Sequence, residues 1–317
     1  MKLVKKIFSL AIIYVLLTNL FACSNSNVVT KSETEETVNV ASNETEENVS
    51  DTSTKKSYKI GALQLVQHAA LDASYQGFVD YLNEQGVDFV IDYQNASGEQ
   101  SACETIAEKF SNDDLDLCYA IATPAAQSVL AHLDNIPIVA SAVTDPEASG
   151  LCKSNSNPGA NLTAASDLTP VDAQFDLLTE LIPDAKNVGI LFCSAEANSK
   201  IQSNMALEAA KRKGLNATEY TVVNSNDIQT VVESMIGKVD VIYIPTDNVM
   251  AAGMNTVSTI TNENMIPTIV GEEGMCDAGG YATYGINYYS LGKVAGSLAE
   301  RILVNGEKPG SIPIAYL

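Results

Sequence analysis

From Tyr58 onward, short apolar runs alternate with stretches whose apolar residues recur at helical spacing, the pattern of parallel strands covered by helices. In the first half it predicts strands at Tyr58–Leu65, Asp88–Tyr93, Leu115–Ala122 and Ile136–Ala140, with helices at Asp72–Gln85, Glu99–Phe110 and Pro124–Leu133 between them. Pro124 suits a first helical turn, where no amide donor is needed. In the second half it predicts helices at Val171–Leu181, Asn198–Lys213, Asp227–Ile236 and Val249–Asn262, and strands at Val188–Cys193, Ala217–Val223, Val239–Ile244 and Pro267–Val270. The expected fold class is α/β, with two Rossmann-like lobes of parallel sheet. Lobe 1 is expected over 58–162, completed by 285–317, and lobe 2 over 163–284.

The halves also echo each other. Asp116-Leu-Cys-Tyr-Ala-Ile-Ala-Thr-Pro124 parallels Asp240-Val-Ile-Tyr-Ile-Pro-Thr-Asp247, and Ile136-Pro-Ile-Val139 parallels Ile266-Pro-Thr-Ile-Val270. In each half an apolar strand runs to a Thr at a helix start, which turns polar groups and amide donors outward from the carboxyl ends of the strands. Open α/β sheets bind ligands at that edge, and two such edges facing each other make a cleft. The stretches 161–168 and 281–288 read as extended segments that cross between lobes and act as hinges.

The first residues carry an address. Lys2, Lys5 and Lys6 precede an apolar run from Ile7 to Leu17, the layout of an export signal over residues 1–22. That run is short of the ~20 apolar residues a membrane span needs. The segment ends Leu20-Phe21-Ala22-Cys23, which resembles the lipobox of bacterial lipoproteins, although Phe21 stands where a smaller residue is usual. The resemblance implies lipidation of Cys23, with each buried methylene contributing ~0.8 kcal/mol to membrane attachment. Residues 24–57 are rich in Ser, Thr, Asn and Glu and hold no aromatic residue before Tyr58, so they bury too little apolar surface to fold. They are expected to be a charged tether.

Charge and cysteine usage narrow the function. Acidic residues outnumber basic ones 39 to 18, giving a formal net charge of −21, which disfavours nucleic acid as a partner. Besides Cys23, the cysteines Cys103, Cys118, Cys152, Cys193 and Cys276 form neither a CxxC pair nor a zinc-like cluster with histidine, so no metal site and no cofactor are expected.

Several stretches resemble the ABC-transporter substrate-binding proteins of the tryptophan/tyrosine-type group. They are Leu63-Gln-Leu-Val-Gln-His-Ala-Ala-Leu-Asp72, Ile91-Asp-Tyr-Gln-Asn95, Ala120-Ile-Ala-Thr-Pro-Ala-Ala126, Ser141-Ala-Val-Thr-Asp-Pro146, Pro245-Thr-Asp-Asn248, Gly271-Glu-Glu273 and Gly285-Ile-Asn-Tyr-Tyr289. They run in order across nearly all of the folded part. The resemblance implies a type I periplasmic-binding-protein fold with three crossovers and an amino acid in the cleft, with tryptophan, tyrosine and phenylalanine foremost. It also implies an extracytoplasmic lipoprotein on the outer face of the cell membrane, monomeric, serving an ABC permease and its ATPase. Asn287 stands where an aspartate is usual, and the chain stops at Leu317, sooner than such relatives do.

A free amino acid presents a carboxylate, an ammonium and a side chain, so its site needs oriented donors, an acidic partner and an apolar pocket. Thr123, with the amides of Ala125 and Ala126 at a helix N-terminus, is the candidate carboxylate holder; a plain N-cap reads the same way. Ser141 and Thr144 are candidates to add hydroxyl donors. Asp247 and Glu272 are the candidate ammonium acceptors, against the competing readings of a capping aspartate and a solvated loop acid. Gln64 and His68 follow the first strand and are expected to reach the cleft mouth. Among Ser194, Glu196 and Asn198, the candidate contact is Asn198. Asp145 reads as a turn residue, and Tyr284 as a ring near the hinge.

Two rivals stand beside this reading. A ligand-sensing receptor without transport shares every feature named so far. An α/β hydrolase does not, since no GxSxG turn occurs and neither His68 nor His132 has a partner at recognisable spacing. A non-enzymatic binding protein is expected.

Overall fold

The computed structural model describes residues 56–317. The first lobe contains β1 (Tyr58–Gln64), α1 (Ala69–Glu84), β2 (Phe89–Asn95), α2 (Gln100–Asn112), β3 (Leu117–Ile121), α3 (Thr123–His132), β4 (Ile138–Ser141) and β5 (Leu162–Ala165). The second contains α4 (Val171–Leu181), β6 (Asn187–Cys193), α5 (Ala197–Arg212), β7 (Asn216–Val222), α6 (Ile228–Met235), β8 (Val241–Ile244), α7 (Asn248–Glu263), β9 (Thr268–Val270), α8 (Glu273–Asp277) and β10 (Ala282–Thr283). The chain then returns to the first lobe as α9 (Tyr288–Leu303).

Each lobe is built on a five-stranded sheet of parallel pairs, ordered β2-β1-β3-β4-β5 in one and β10-β9-β8-β6-β7 in the other. Read from β7, the second order is β7-β6-β8-β9-β10, the same winding as the first. The lobes are therefore topological copies, which accounts for the echo between the halves of the sequence.

Strand position follows composition. Central β3, Leu-Cys-Tyr-Ala-Ile, and central β8, Val-Ile-Tyr-Ile, are buried at every residue, as strands covered on both faces must be. The edge strands β2 and β7 carry their exposed residues. The buried tyrosines of the two central strands find partners for their hydroxyls: Tyr119 bonds within lobe 1, and Tyr243 OH donates to Gln174 Oε1 at 2.6 Å.

Docking of α9 completes lobe 1. A Cβ on Gly292 would collide with the Ser74 carbonyl of α1, and one on Gly77 with the Tyr289 carbonyl of α9, so two glycines permit an approach that no larger residue allows. Leu291, Ala295, Leu298 and Ile302 then join the core formed by Ile60, Leu63, Phe78 and Tyr119.

Pairing of β5 with β4 extends to Ser141 and Ala165, so the first sheet runs three residues past the expected lobe boundary at 162. Two crossings lie within the described residues, over 166–170 and 284–287, inside or close to the expected hinges. Ala315 bridges to Ala165 and lays the last residues beside β5. Asn287 caps α9 by accepting the Ser290 amide at 2.8 Å, a role aspartate fills equally well. The expected export signal, Cys23 and the tether lie outside the described residues. Among the described residues no helix is long and apolar enough to cross a membrane, and the five cysteines are free.

Candidate ligand-binding cleft

The carboxyl ends of the two sheets face one another, and the turns leaving them carry the polar groups. In lobe 2, three strand-to-helix turns end in acids. Glu196 precedes α5, Asp247 precedes α7 and Glu272 precedes α8. The equivalent turns of lobe 1 carry His68 before α1 and Ala122 before α3, while Ala142 follows β4. Ala122 and Ala142 hold positive φ, 86° and 55°, a region most residues avoid and one that concentrates at functional sites.

Between the turns lies a cavity bordered by His68, Asp167, Asn198, Asp247, Asn248 and Glu272, with Leu71, Ala142, Ala251 and Met275 as apolar wall and Thr246 and Tyr288 completing it. No lysine or arginine borders it. Its volume is about 10 Å³, room for roughly one water, because the lobes are shut. His68 Nε2 lies 3.3 Å from Asn248 Oδ1 across the cleft, and Gln202 Nε2 of α5 donates to Thr144 Oγ1 of lobe 1 at 3.0 Å.

The candidate residues divide into those that reach the cavity and those spent inside a lobe. His68, Asn198, Asp247 and Glu272 border it. Thr123 is buried at the first position of α3, and its hydroxyl has no partner, so it does not act as a side-chain cap. Gln64 donates to Asp72 Oδ1 at 2.7 Å and to the Val66 carbonyl at 2.9 Å, bracing the β1–α1 turn. Ser141 does not reach the cavity: its hydroxyl is shared with Ser74, at 2.8 Å, and Tyr119, at 2.7 Å, in the interior of lobe 1. Thr144 donates to Asp167 Oδ1 at 3.1 Å and sits behind the cavity wall.

Asp247 and Glu272 are both helix caps. Asp247 accepts the Met250 amide at 2.8 Å and the Cys193 amide at 2.6 Å. Glu272 accepts the amides of Gly274 at 2.6 Å and Met275 at 2.7 Å. Burial raises both carboxyls above their ordinary range, partly offset by these amides. Glu196 goes further, up to about 7, because it is buried and faces the Asp247 charge. Burial lowers the pKa of His68, favouring neutral imidazole.

Sequence reasoning passed over Asp167, Asn248, Thr246 and Tyr288. Asp167 is buried in the first crossing, where it accepts Tyr288 OH at 2.7 Å and Thr144 Oγ1 at 3.1 Å, and burial raises its pKa. Its one sequence signal is an acid in a segment already read as a hinge. Asn248 donates to Glu196 Oε2 at 2.7 Å and reaches His68 with its other side-chain atom.

Four buried polar atoms of the candidate residues have no partner in the protein: Gln64 Oε1, Thr123 Oγ1, His68 Nδ1 and Asn198 Oδ1. Buried polar atoms are paired as a rule, so this concentration marks a surface built to meet something else. Among the described residues no group of acids, histidines and cysteines is arranged to hold a metal ion. Neither histidine is bonded to a serine hydroxyl: His68 meets Asn248, and His132 Nδ1 meets the Ser128 carbonyl at 2.9 Å.

Residues 59–317 match the family described as ABC transporter substrate binding protein. The chain belongs to this family. Among curated relatives of this substrate-binding protein is a tyrosine-binding protein from Clostridioides difficile, 39% identical over 318 residues, covering 99% of this chain and 88% of that one. Among solved structures, an ABC domain in complex with L-Trp from Streptococcus pneumonia is 34% identical and covers 83% of this chain and 90% of its own, with a TM-score of 0.81. A ligand-free, open substrate-binding protein with adhesive properties from Clostridium difficile is 41% identical, covering 82% and 89%, yet its TM-score is 0.63. The more identical chain superposes less well because it is open, and the substrate-binding protein described here has its lobes closed.

Proposed function

We propose that this substrate-binding protein captures a free amino acid with an aromatic side chain, tyrosine, tryptophan or phenylalanine, between its lobes for an ABC importer. The observation that carries the reading is the pairing of an acid-rimmed cleft lacking any lysine or arginine with buried, unpartnered acceptors on both lobes. Such a cleft calls for a ligand that brings its own donors, and an ammonium is the strongest of these. Leu71, Ala142, Ala251 and Met275 supply apolar surface for a side chain. The tyrosine and L-Trp named for the relatives support the aromatic class.

Capture works by closure. The ligand enters while the lobes are apart, since the closed cavity has room for about one water. It then lodges between the turns, and the lobes close around it with the cavity widened to its size. Closure follows binding only as far as the ligand favours the shut form over the open one. The shut form is what a permease and its ATPase recognise, with Cys23 lipid and the acidic tether of 24–57 keeping the head near the outer face of the membrane.

Calorimetric titration of the purified protein with tyrosine, tryptophan and phenylalanine tests the ligand class. Micromolar or tighter binding, roughly 8 kcal/mol or more, is expected for at least one of them. Silence with all three removes the assignment.

A further inference from the structure

We propose that Asp167, and not the acids of the lobe-2 turns, is the carboxylate that receives the ammonium of the ligand. The inference rests on the amino-acid reading above and deepens it by naming the group that makes the cleft select a cation.

Four acids stand at or beside the cavity, and their surroundings differ. Asp247 accepts the Met250 amide at the start of α7 and the Cys193 amide at the end of β6, and Glu272 accepts two amides at the start of α8. Glu196 accepts the Asn248 amide at 3.3 Å and the side-chain amides of Asn198 and Asn248 at 3.0 and 2.7 Å. Each therefore has its charge met by donors of its own lobe and by the positive end of a helix. Asp167 lies in a crossing segment and caps no helix. Apart from its own amide, its carboxylate is held by neutral hydroxyls, those of Tyr288 and Thr144. It is 4% exposed and borders the cavity. A buried carboxylate so thinly compensated is costly unless a cation reaches it, and among the described residues no lysine or arginine borders the cavity.

Position adds a second argument. Asp167 belongs to the first crossing and bonds Tyr288, which follows the second. Thr144, its other donor, accepts the cross-cleft bond of Gln202. An ammonium seated on Asp167 thus meets a group that joins both crossings and lies one hydrogen bond, through Thr144, from a contact between the lobes.

The test compares tyrosine with 3-(4-hydroxyphenyl)propanoate, which lacks only the ammonium, on wild type, Asp167→Asn, Asp167→Glu and Glu272→Gln. Wild type is expected to prefer tyrosine by roughly 10- to 100-fold, the range of one charge-assisted hydrogen bond. Asp167→Asn is expected to lose most of that preference by weakening tyrosine alone, Asp167→Glu to recover part of it, and Glu272→Gln to keep it. An unchanged preference in Asp167→Asn, or equal loss of both ligands, overturns the assignment while leaving the amino-acid reading intact. Failure of wild type to bind tyrosine, tryptophan or phenylalanine overturns both. A crystal structure of the wild-type complex decides independently of any variant's folding: an ammonium nitrogen within hydrogen-bond distance of Asp167 supports the proposal, and one held only by Asp247 or Glu272 overturns it.

Discussion

His68 of the first lobe and Asn248 of the second meet across the cleft, Nε2 to Oδ1 at 3.3 Å, and this contact lies against the cavity both residues border. With Nε2 as donor to an amide oxygen, Nδ1 is left as a buried acceptor without a partner. Beside the bond from Gln202 to Thr144, it holds the lobes together.

Removing it is expected to open the unliganded molecule. His68→Ala should raise the radius of gyration of the ligand-free protein in small-angle scattering and weaken tyrosine binding about fivefold, the worth of one ordinary hydrogen bond. Closure buries the ring and lowers its pKa below the ordinary 6.5, so this contribution is present above about pH 6.5 and is lost as pH falls through the lowered value. The compactness of wild type and variant should therefore converge in acid. A variant as compact as wild type at pH 8 contradicts this.

Glu196 carries the opposite sign. Its pKa in the folded protein is raised from 4.5 to about 7, so the stability tied to its proton is full below pH 4.5 and lost as pH rises through about 7. Glu196→Gln keeps an acceptor for Asn198 and Asn248 but removes repulsion from Asp247. Thermal unfolding should show the variant melting several degrees above wild type at pH 8, from on the order of 1–3 kcal/mol, with the gap closing toward pH 4.5.

The hydroxyl of Thr123 is buried without a partner, so the fold draws nothing from it. Thr123→Val should leave the denaturant midpoint unchanged or slightly raised, and weaken amino-acid binding about tenfold. A large loss of stability with unchanged affinity would assign Thr123 to the fold instead.

Docking of α9 on α1 depends on bare glycine at 292. Gly292→Ala places a methyl against the Ser74 carbonyl, and urea unfolding should report about 1–3 kcal/mol of destabilisation. Gly292 does not hold a positive φ, so this loss is steric, whereas an alanine at exposed Gly306, whose Cβ would meet nothing, reports the strain of positive φ alone.

Most strands could be read because their apolar runs have little alternative: β1 was expected over 58–65 and spans 58–64, and β6 over 188–193 and spans 187–193. Short β5, Leu-Thr-Ala-Ala, and two-residue β10 carry no period to detect, and α8 is five residues placed by the Glu272 cap. The start of α1 at Ala69, three residues before the expected Asp72, reflects an extended backbone at His68 that no local pattern announces. Site residues followed the same divide. The cavity-bordering position of residues on strand-to-helix turns, such as Asn198 and Asp247, was legible because topology aims every such turn at the ligand edge. Asp167 lies on the first crossing and Tyr288 directly after the second, where position depends on how two distant segments meet. Ser141 misled for the converse reason: its strand end points correctly, but Ser74 and Tyr119 claim its hydroxyl.

The duplicated winding of the lobes places like turns opposite one another, and evolution has filled them unlike. Glu196, Asp247 and Glu272 stand at these turns on one bank and His68, Ala122 and Ala142 on the other, so the acids of the paired turns all lie on one side. Because amides of that bank already meet those charges, an ammonium seated on Asp167 rests on the crossing between the banks and not on the acidic one. With no lysine or arginine among the described residues that border the cavity, the same asymmetry disfavours an anion as guest.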